Sequence, residues 1–197
     1  NIITRRGQGR PNANATIEYG SFGSNRLSGS VGASNEVLDG SLALSYVDGG
    51  GINISERGDE EDGYRNGTVN TRLGWQALPQ LRFELTGRLS DIRTATDGDT
   101  GLGVPSDTAG KTDILQAYAS GRAKLDTFDG RWLHELSGAW SKMDNEDRDL
   151  AVFLEGRVVG HKHSIDYQTT LRGETSVLVP ANHALTFALD CEQQRFH

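Results

Sequence analysis

Apolar and polar residues take turns in stretch after stretch of this chain, as they do in extended strands with two unlike faces. The alternation predicts strands over 13–22, 25–35, 39–48, 67–77, 81–92, 112–125, 131–142, 161–175 and 184–193. It is clearest in 81–92, where Leu81, Phe83, Leu85 and Leu89 share one face and Arg82, Glu84, Thr86, Arg88 and Ser90 the other. Between the strands lie a tight turn at 23–24 and connectors at 36–38, 49–66, 78–80, 93–111, 126–130, 143–160 and 176–183, short and long by turns. The stretch 112–125 also carries a helical stripe of Ile114, Tyr118, Gly121 and Leu125, with Thr112 as an N-cap. The strand reading is preferred there because it keeps the short and long connectors in phase.

In an antiparallel up-and-down sheet, successive connectors lie at opposite ends, so one end is flush and the other carries long loops. That asymmetry suits a transmembrane β-barrel. Composition is compatible with it: 35% of the 197 residues are apolar, with 25 Gly besides. A barrel with a wet lumen needs an apolar side chain only at every second strand position. No run approaches the ~20 apolar residues of a membrane helix. The net charge of −7 gives no support for nucleic-acid binding, which wants a basic face. Trp75 and Trp132 fall near the flush end, Tyr46 and Trp140 near the looped end. Trp132 and Trp140 share a face and stand about 20 Å apart vertically at ~3.3 Å per residue and a ~40° tilt, close to the spacing of aromatic girdles. The fold class expected is all-β: a partial antiparallel up-and-down transmembrane barrel, nine strands of a larger whole. Nine strands do not close an even-numbered barrel, and Asn1-Ile2-Ile3-Thr4 reads as a strand already under way, so the chain is expected to be a fragment.

Asn1-Ile2-Ile3-Thr4-Arg5-Arg6, followed by a first strand containing Thr16-Ile17-Glu18-Tyr19-Gly20, resembles the passage from plug to barrel in TonB-dependent outer-membrane receptors. The cobalamin-transporter-like branch is suggested by Tyr19-Gly20-Ser21-Phe22-Gly23-Ser24-Asn25, Asp59-Glu60-Glu61-Asp62-Gly63-Tyr64 and Leu89-Ser90-Asp91-Ile92-Arg93-Thr94. The resemblance implies that 1–11 are the end of a plug and its linker and 12–197 the N-terminal part of the barrel. It implies about 22 strands around a plugged lumen. It further implies a place in the bacterial outer membrane among its lipids, a small chelate as substrate (cobalamin, another corrinoid or a ferric siderophore), and an energy-transducing TonB complex acting through the plug.

Substrate would be met at the outer loops 49–66, 93–111 and 143–160, with no single residue marked out. These loops are acidic, with Asp144, Glu146, Asp147 and Asp149 in the third. Calcium takes several oxygen ligands, and carboxylates from adjacent loops can supply them. The resemblance carries such a site onto Asp59, Glu61, Asp62, Asp97 and Asp99, by loop position; a solvated acidic surface is the plainer reading. Asp97-Gly98-Asp99-Thr100-Gly101 is no EF-hand, because Thr108 stands where the bidentate Glu belongs. His161-Lys162-His163 places two imidazoles on one side of a strand without a third ligand nearby. Gly7-Gln8-Gly9-Arg10 lacks the third Gly of a nucleotide fingerprint, and no Gly-x-Ser-x-Gly elbow occurs. Lumen charges such as Arg72, Arg82, Glu84, Arg88 and Arg122 are expected to hydrate the wall and pair with the plug. No enzyme is expected. The alternatives are a small non-transporting outer-membrane barrel for adhesion or anchoring and, more remotely, a soluble sugar-binding β-sandwich.

Overall fold

The computed structural model describes residues 6–52, 61–99, 105–149, 154–175 and 181–197, without the side chains of 98, 99, 105–109, 149 and 154. These residues form one antiparallel sheet of nine strands in sequence order: β1 (Asn12–Tyr19), β2 (Asn25–Ser34), β3 (Leu38–Gly49), β4 (Tyr64–Leu78), β5 (Leu81–Asp99), β6 (Pro105–Thr127), β7 (Trp132–Asp149), β8 (Leu154–Thr175) and β9 (Ala181–Phe196). Every expected strand is present, and 112–125 lies within β6. The sheet is open, since β1 pairs only with β2 and β9 only with β8. No helix among the described residues is long and apolar enough to cross a membrane, which says nothing of strands.

Several boundaries differ from expectation. The expected strand 13–22 ends at Tyr19, because 20–24 fold into a turn closed by Gly20 N–H donating to Ser24 O at 2.8 Å, with Phe22 at φ 57°. The connectors 93–111 and 143–160 are mostly strand. Residues 93–96 pair with 110–113, and 143–149 with 154–160, leaving 100–104 and 150–153 outside the described residues. Glu155-Gly156-Arg157, inside the expected connector 143–160, pairs with Arg148, Asp147 and Glu146 in the β7–β8 ladder. Alternation had stopped at those points while the backbone ladder continued, because both faces are polar there.

Partners across an antiparallel ladder point the same way, so the register sorts the side chains of the whole sheet. One face carries Leu38, Leu42, Leu44, Val69, Leu73, Trp75, Leu81, Phe83, Leu85, Leu89, Leu115, Leu125, Trp132, Leu136, Trp140, Ile165, Leu171, Leu185, Phe187 and Leu189. The other carries mainly Ser, Thr, Asn, Gln and charges, with Ile92, Ile114, Tyr118, Leu133, Met143 and Phe196 among them. The described residues contain no buried hydrophobic core, and Leu185 and Ile165 are 73% and 63% exposed. Total exposed area is 14074 Å², against about 9,100 Å² for a compact monomer of this mass. Water does not tolerate an apolar face of that extent on a stable monomer.

The apolar band is oblique to the ladder. Its upper edge falls from the row of Tyr46 and Gly67 at β3–β4 to the row of Leu73, Ile165 and Cys191 at β8–β9, six residues along β4 over six strands, with one step back at Leu115. One residue of ~3.3 Å per ~4.8 Å of strand spacing corresponds to a tilt of about 35°. Barrel strands tilt by this amount when the band is level. On β5 the band runs from Leu81 to Leu89 and on β7 from Trp132 to Trp140, in keeping with the ~9–11 residues of a spanning strand.

Candidate functional site

The polar face is the functional candidate, because its charged side chains line an open concavity. At its flush end sits Asp39, whose side chain is 2% exposed. Its Oδ2 accepts from Arg82 at 2.5 Å and from Arg6 at 3.2 Å. Arg82 also reaches Glu84 at 3.0 Å, and Glu84 is bound by Arg72 at 3.1 Å. The bridge from Asp39 on β3 to Arg82 on β5 passes over Gly74 on β4. A Cβ on Gly74 would stand 2.2 Å from the Arg82 guanidinium and 2.4 Å from Asp39 Oδ2, so the network needs glycine there. Segment 6–11 is tied to the same corner. Ser34 N–H donates to Gly9 O at 2.8 Å, and Gly9 N–H to Ser34 Oγ at 2.7 Å. Gly7 is buried where a Cβ would meet Gly40 O at 2.1 Å.

Further up the wall is an open concavity of about 980 Å³, lined by Arg72, Arg88, Tyr118, Arg122, Lys162 and Phe196 among others. Arg122 and Lys124 share Glu135 at 3.1 and 3.3 Å, and Lys162 pairs with Glu192 at 2.6 Å. Cross-strand pairing thus neutralises most of this wall internally. The surface is charged and hydrated, and long strands fix its positions from below. It can hold a polar body by many hydrogen bonds, and among the described residues it shows no nucleophile set against a base. The inner positions of Arg72, Arg82, Glu84, Arg88 and Arg122 were legible in the alternation. Asp39 and its tie to Arg6 were not: Asp39 opens a strand beside a turn, and only the register places it against Arg82.

The acidic residues picked out from sequence are distributed differently. Asp59 lies outside the described residues, as does the side chain of Asp99. Glu61 is exposed, and Gly63 O accepts from Ala95 N–H at 2.8 Å, which brings the 61–63 segment beside the upper part of β5. Asp97 stands in β5 at a register shift between Thr96 and Gly98. Among the described residues no group of three or more His, Cys, Asp or Glu side chains could hold a metal. His161 and His163 do share a face; the His161 ring stacks on His197 at 5.7 Å.

Above the apolar band its own face turns charged. Asp48 pairs with Arg65 at 3.2 Å, and Arg93 with Asp91 at 3.5 Å and Asp113 at 3.7 Å. Arg157 forks onto Asp144 with two bonds of 2.8 Å, and Lys142 adds a third contact at 3.2 Å. The Arg157 guanidinium, with Lys142, holds the Asp144 carboxyl well below the usual carboxylate range.

No family model and no curated protein matches the chain. Among solved structures it is similar to the crystal structure of the siderophore receptor PirA from Acinetobacter baumannii, at 16% identity and a TM-score of 0.70. The likeness covers 99% of this chain and 32% of that one, so the chain spans about a third of the length of the receptor it matches. What the two share at this identity is the fold, an arc of up-and-down barrel wall.

Proposed function

We propose that the chain is part of the wall of a TonB-dependent outer-membrane receptor, which takes up a nutrient chelate through a plugged lumen. The observation that carries this reading is the two-faced sheet. An oblique apolar band of bilayer width has no core to cover it, and lipid is the solvent that suits it. The polar opposite face and strands that continue well past the band fit a wide barrel with a tall outer part. Closure of the open edges falls to further strands. In this reading residues 1–11 are the end of the plug and its linker, and the Arg6–Asp39 bridge is where that linker meets the wall.

For the substrate, the siderophore receptor among solved structures supports a ferric siderophore. A corrinoid is the second reading and rests on the sequence resemblance alone. The calcium ion read onto Asp59, Glu61, Asp62, Asp97 and Asp99 also belongs to the proposal, supported by the bond that draws the 61–63 segment to β5.

The test is growth of a strain lacking the full-length gene, with ferric siderophores as sole iron source and with cobalamin as the limiting vitamin. Complementation that depends on both the gene and an intact TonB complex is expected for one chelate. Complementation without TonB, or recovery of the full-length protein in the aqueous phase without detergent, would remove the receptor reading.

A further inference from the structure

We infer that the polar face, beside the outer edge of the apolar band, takes a ferric chelate of the catecholate class, an inference that rests on the receptor-wall reading. Arg88, Tyr118, Met143 and Phe196 hold it. All four line the open concavity of about 980 Å³, which is at the upper end of the ~300–1,000 Å³ range of ligand clefts. Arg88 and Tyr118 are cross-strand partners on β5 and β6. Met143 stands diagonally above Tyr118 on β7, two residues beyond its partner Ser141. Gly160 pairs with Met143 on one side and with Phe196 on the other. A Cβ on Gly160 would stand 2.9 Å from the Phe196 ring, so the ring lies over the glycine, on the Met143 side of β9. Tyr118, Met143 and Phe196 are exposed, an apolar surface set into a wall that is mainly polar. Arg88 adjoins Leu89, where the band ends on β5, and Met143 and Phe196 lie beyond Trp140 and Cys191. A ligand arriving from the looped end meets these residues before the ion pairs below them.

Charge selects among chelates. Among the described residues from β4 to β9, the polar-face rows through Ile114, Gln116 and Tyr118 contain no carboxylate, and their charges are Arg88 and Lys162. Lys162 is matched by Glu192 at 2.6 Å. Arg88 is half-buried and makes no ion pair or hydrogen bond among the described residues. Carboxylates begin in the rows below, where Glu84 already serves Arg72 and Arg82, and Glu135 serves Arg122 and Lys124. A half-buried guanidinium is costly without an anion. A ferric catecholate carries net negative charge on oxygens that accept from guanidinium N–H groups. Its rings present faces to aromatic and thioether side chains. A ferric trihydroxamate has no net charge and no aromatic ring, so it leaves Arg88 unmatched. A corrinoid presents mainly neutral amides to such a wall.

The experiment is equilibrium dialysis of the full-length protein in dodecyl maltoside. The probes are the ferric complex of a dihydroxybenzoate siderophore, that of a linear trihydroxamate, and cyanocobalamin. Wild type should bind the catecholate about tenfold more tightly than either other probe, and added salt should weaken that binding alone. Arg88→Gln should weaken catecholate binding about tenfold and remove its salt dependence, while Arg88→Lys should keep most of both. Phe196→Ala should weaken it about fivefold. Resistance to SDS before heating shows which variants have folded barrels; if Arg88→Gln has not, the wild-type preference and Phe196→Ala still decide. No preference in wild type, or unchanged catecholate binding in a folded Arg88→Gln or in Phe196→Ala, would overturn the inference and leave the receptor reading standing. An equal loss for all three probes in Arg88→Gln would mean that Arg88 serves the protein itself, and would overturn it too. Chelate-dependent growth that does not need TonB would remove the receptor reading instead, whatever the dialysis shows.

Discussion

Gly74 holds its place through what it lacks. The Asp39–Arg82 bridge crosses β4 at the one position where no side chain intervenes, and a methyl group there would stand within 2.4 Å of both partners. Gly74→Ala should therefore part a buried carboxylate from its guanidinium and destabilise the full-length protein by about 1–3 kcal/mol. In the Asp39→Ala background the same change should cost much less, since the bridge it disturbs is gone. Denaturant unfolding from liposomes measures both, and additive losses would contradict the bridge. Asp144 makes a second residue-scale case. Its carboxyl is lowered by Arg157 and Lys142 in the folded arm. Its contribution is therefore fully present above the unfolded value near ~3.9 and is lost as pH falls through the lower folded value. Amide exchange in the upper β7–β8 ladder should hold as pH is lowered past the ordinary carboxylate range. Arg157→Gln should move the loss of protection up toward that range, and an unmoved midpoint would contradict the assignment.

At the scale of the strand, the proposed function gives the two faces different solvents. Leu85 lies mid-band and is 58% exposed, while its neighbour Thr86 points to the polar side. Leu85→Arg should cost about 2–4 kcal/mol in a bilayer, and Thr86→Arg should be tolerated because its guanidinium can remain hydrated. Folding into liposomes compares them; equal costs would invert the register. The strand tops are ladders rather than loops, so amides of 93–96 and 110–112 should exchange slowly despite their polar sequence. Fast exchange there would contradict the pairing of Ala95 with Lys111. The proposed calcium ion belongs to the same height. Calcium should slow proteolysis between β3 and β4 in the full-length protein, and Asp62→Asn with Asp97→Asn should abolish the protection. Cleavage indifferent to calcium and chelator in wild type would leave only a solvated acidic surface.

Taken whole, the sheet has two unsatisfied margins and one apolar face. Unpaired strand edges recruit other chains, and β1 and β9 are exposed along their length. This chain on its own should therefore self-associate in mild detergent, while the full-length protein stays monomeric. Light scattering distinguishes the two, and a monodisperse monomer of the chain alone would mean its edges are closed in some other way. The long oblique strands also explain how a likeness at 16% identity can still reach a TM-score of 0.70: tilt, strand spacing and up-and-down order fix the wall, and each inward or outward position accepts many residue types.

Alternation, with the phase of short and long connectors, determined the number of strands, their order and which side chains face which way. A residue of a two-faced sheet shows its side in its own chemistry, as Leu85 and Thr86 do. It also located the inner charges from Arg72 to Arg122. Only the tertiary structure decided where the strands stop, because above the band both faces meet water and the chemical contrast vanishes although hydrogen bonding persists. The same holds for contacts between strands. Arg6, Asp39, Gly74 and Arg82 are widely separated in sequence, as are Lys162 and Glu192. The register that brings each group together is a property of pairing across the ladder, which no single stretch of sequence contains.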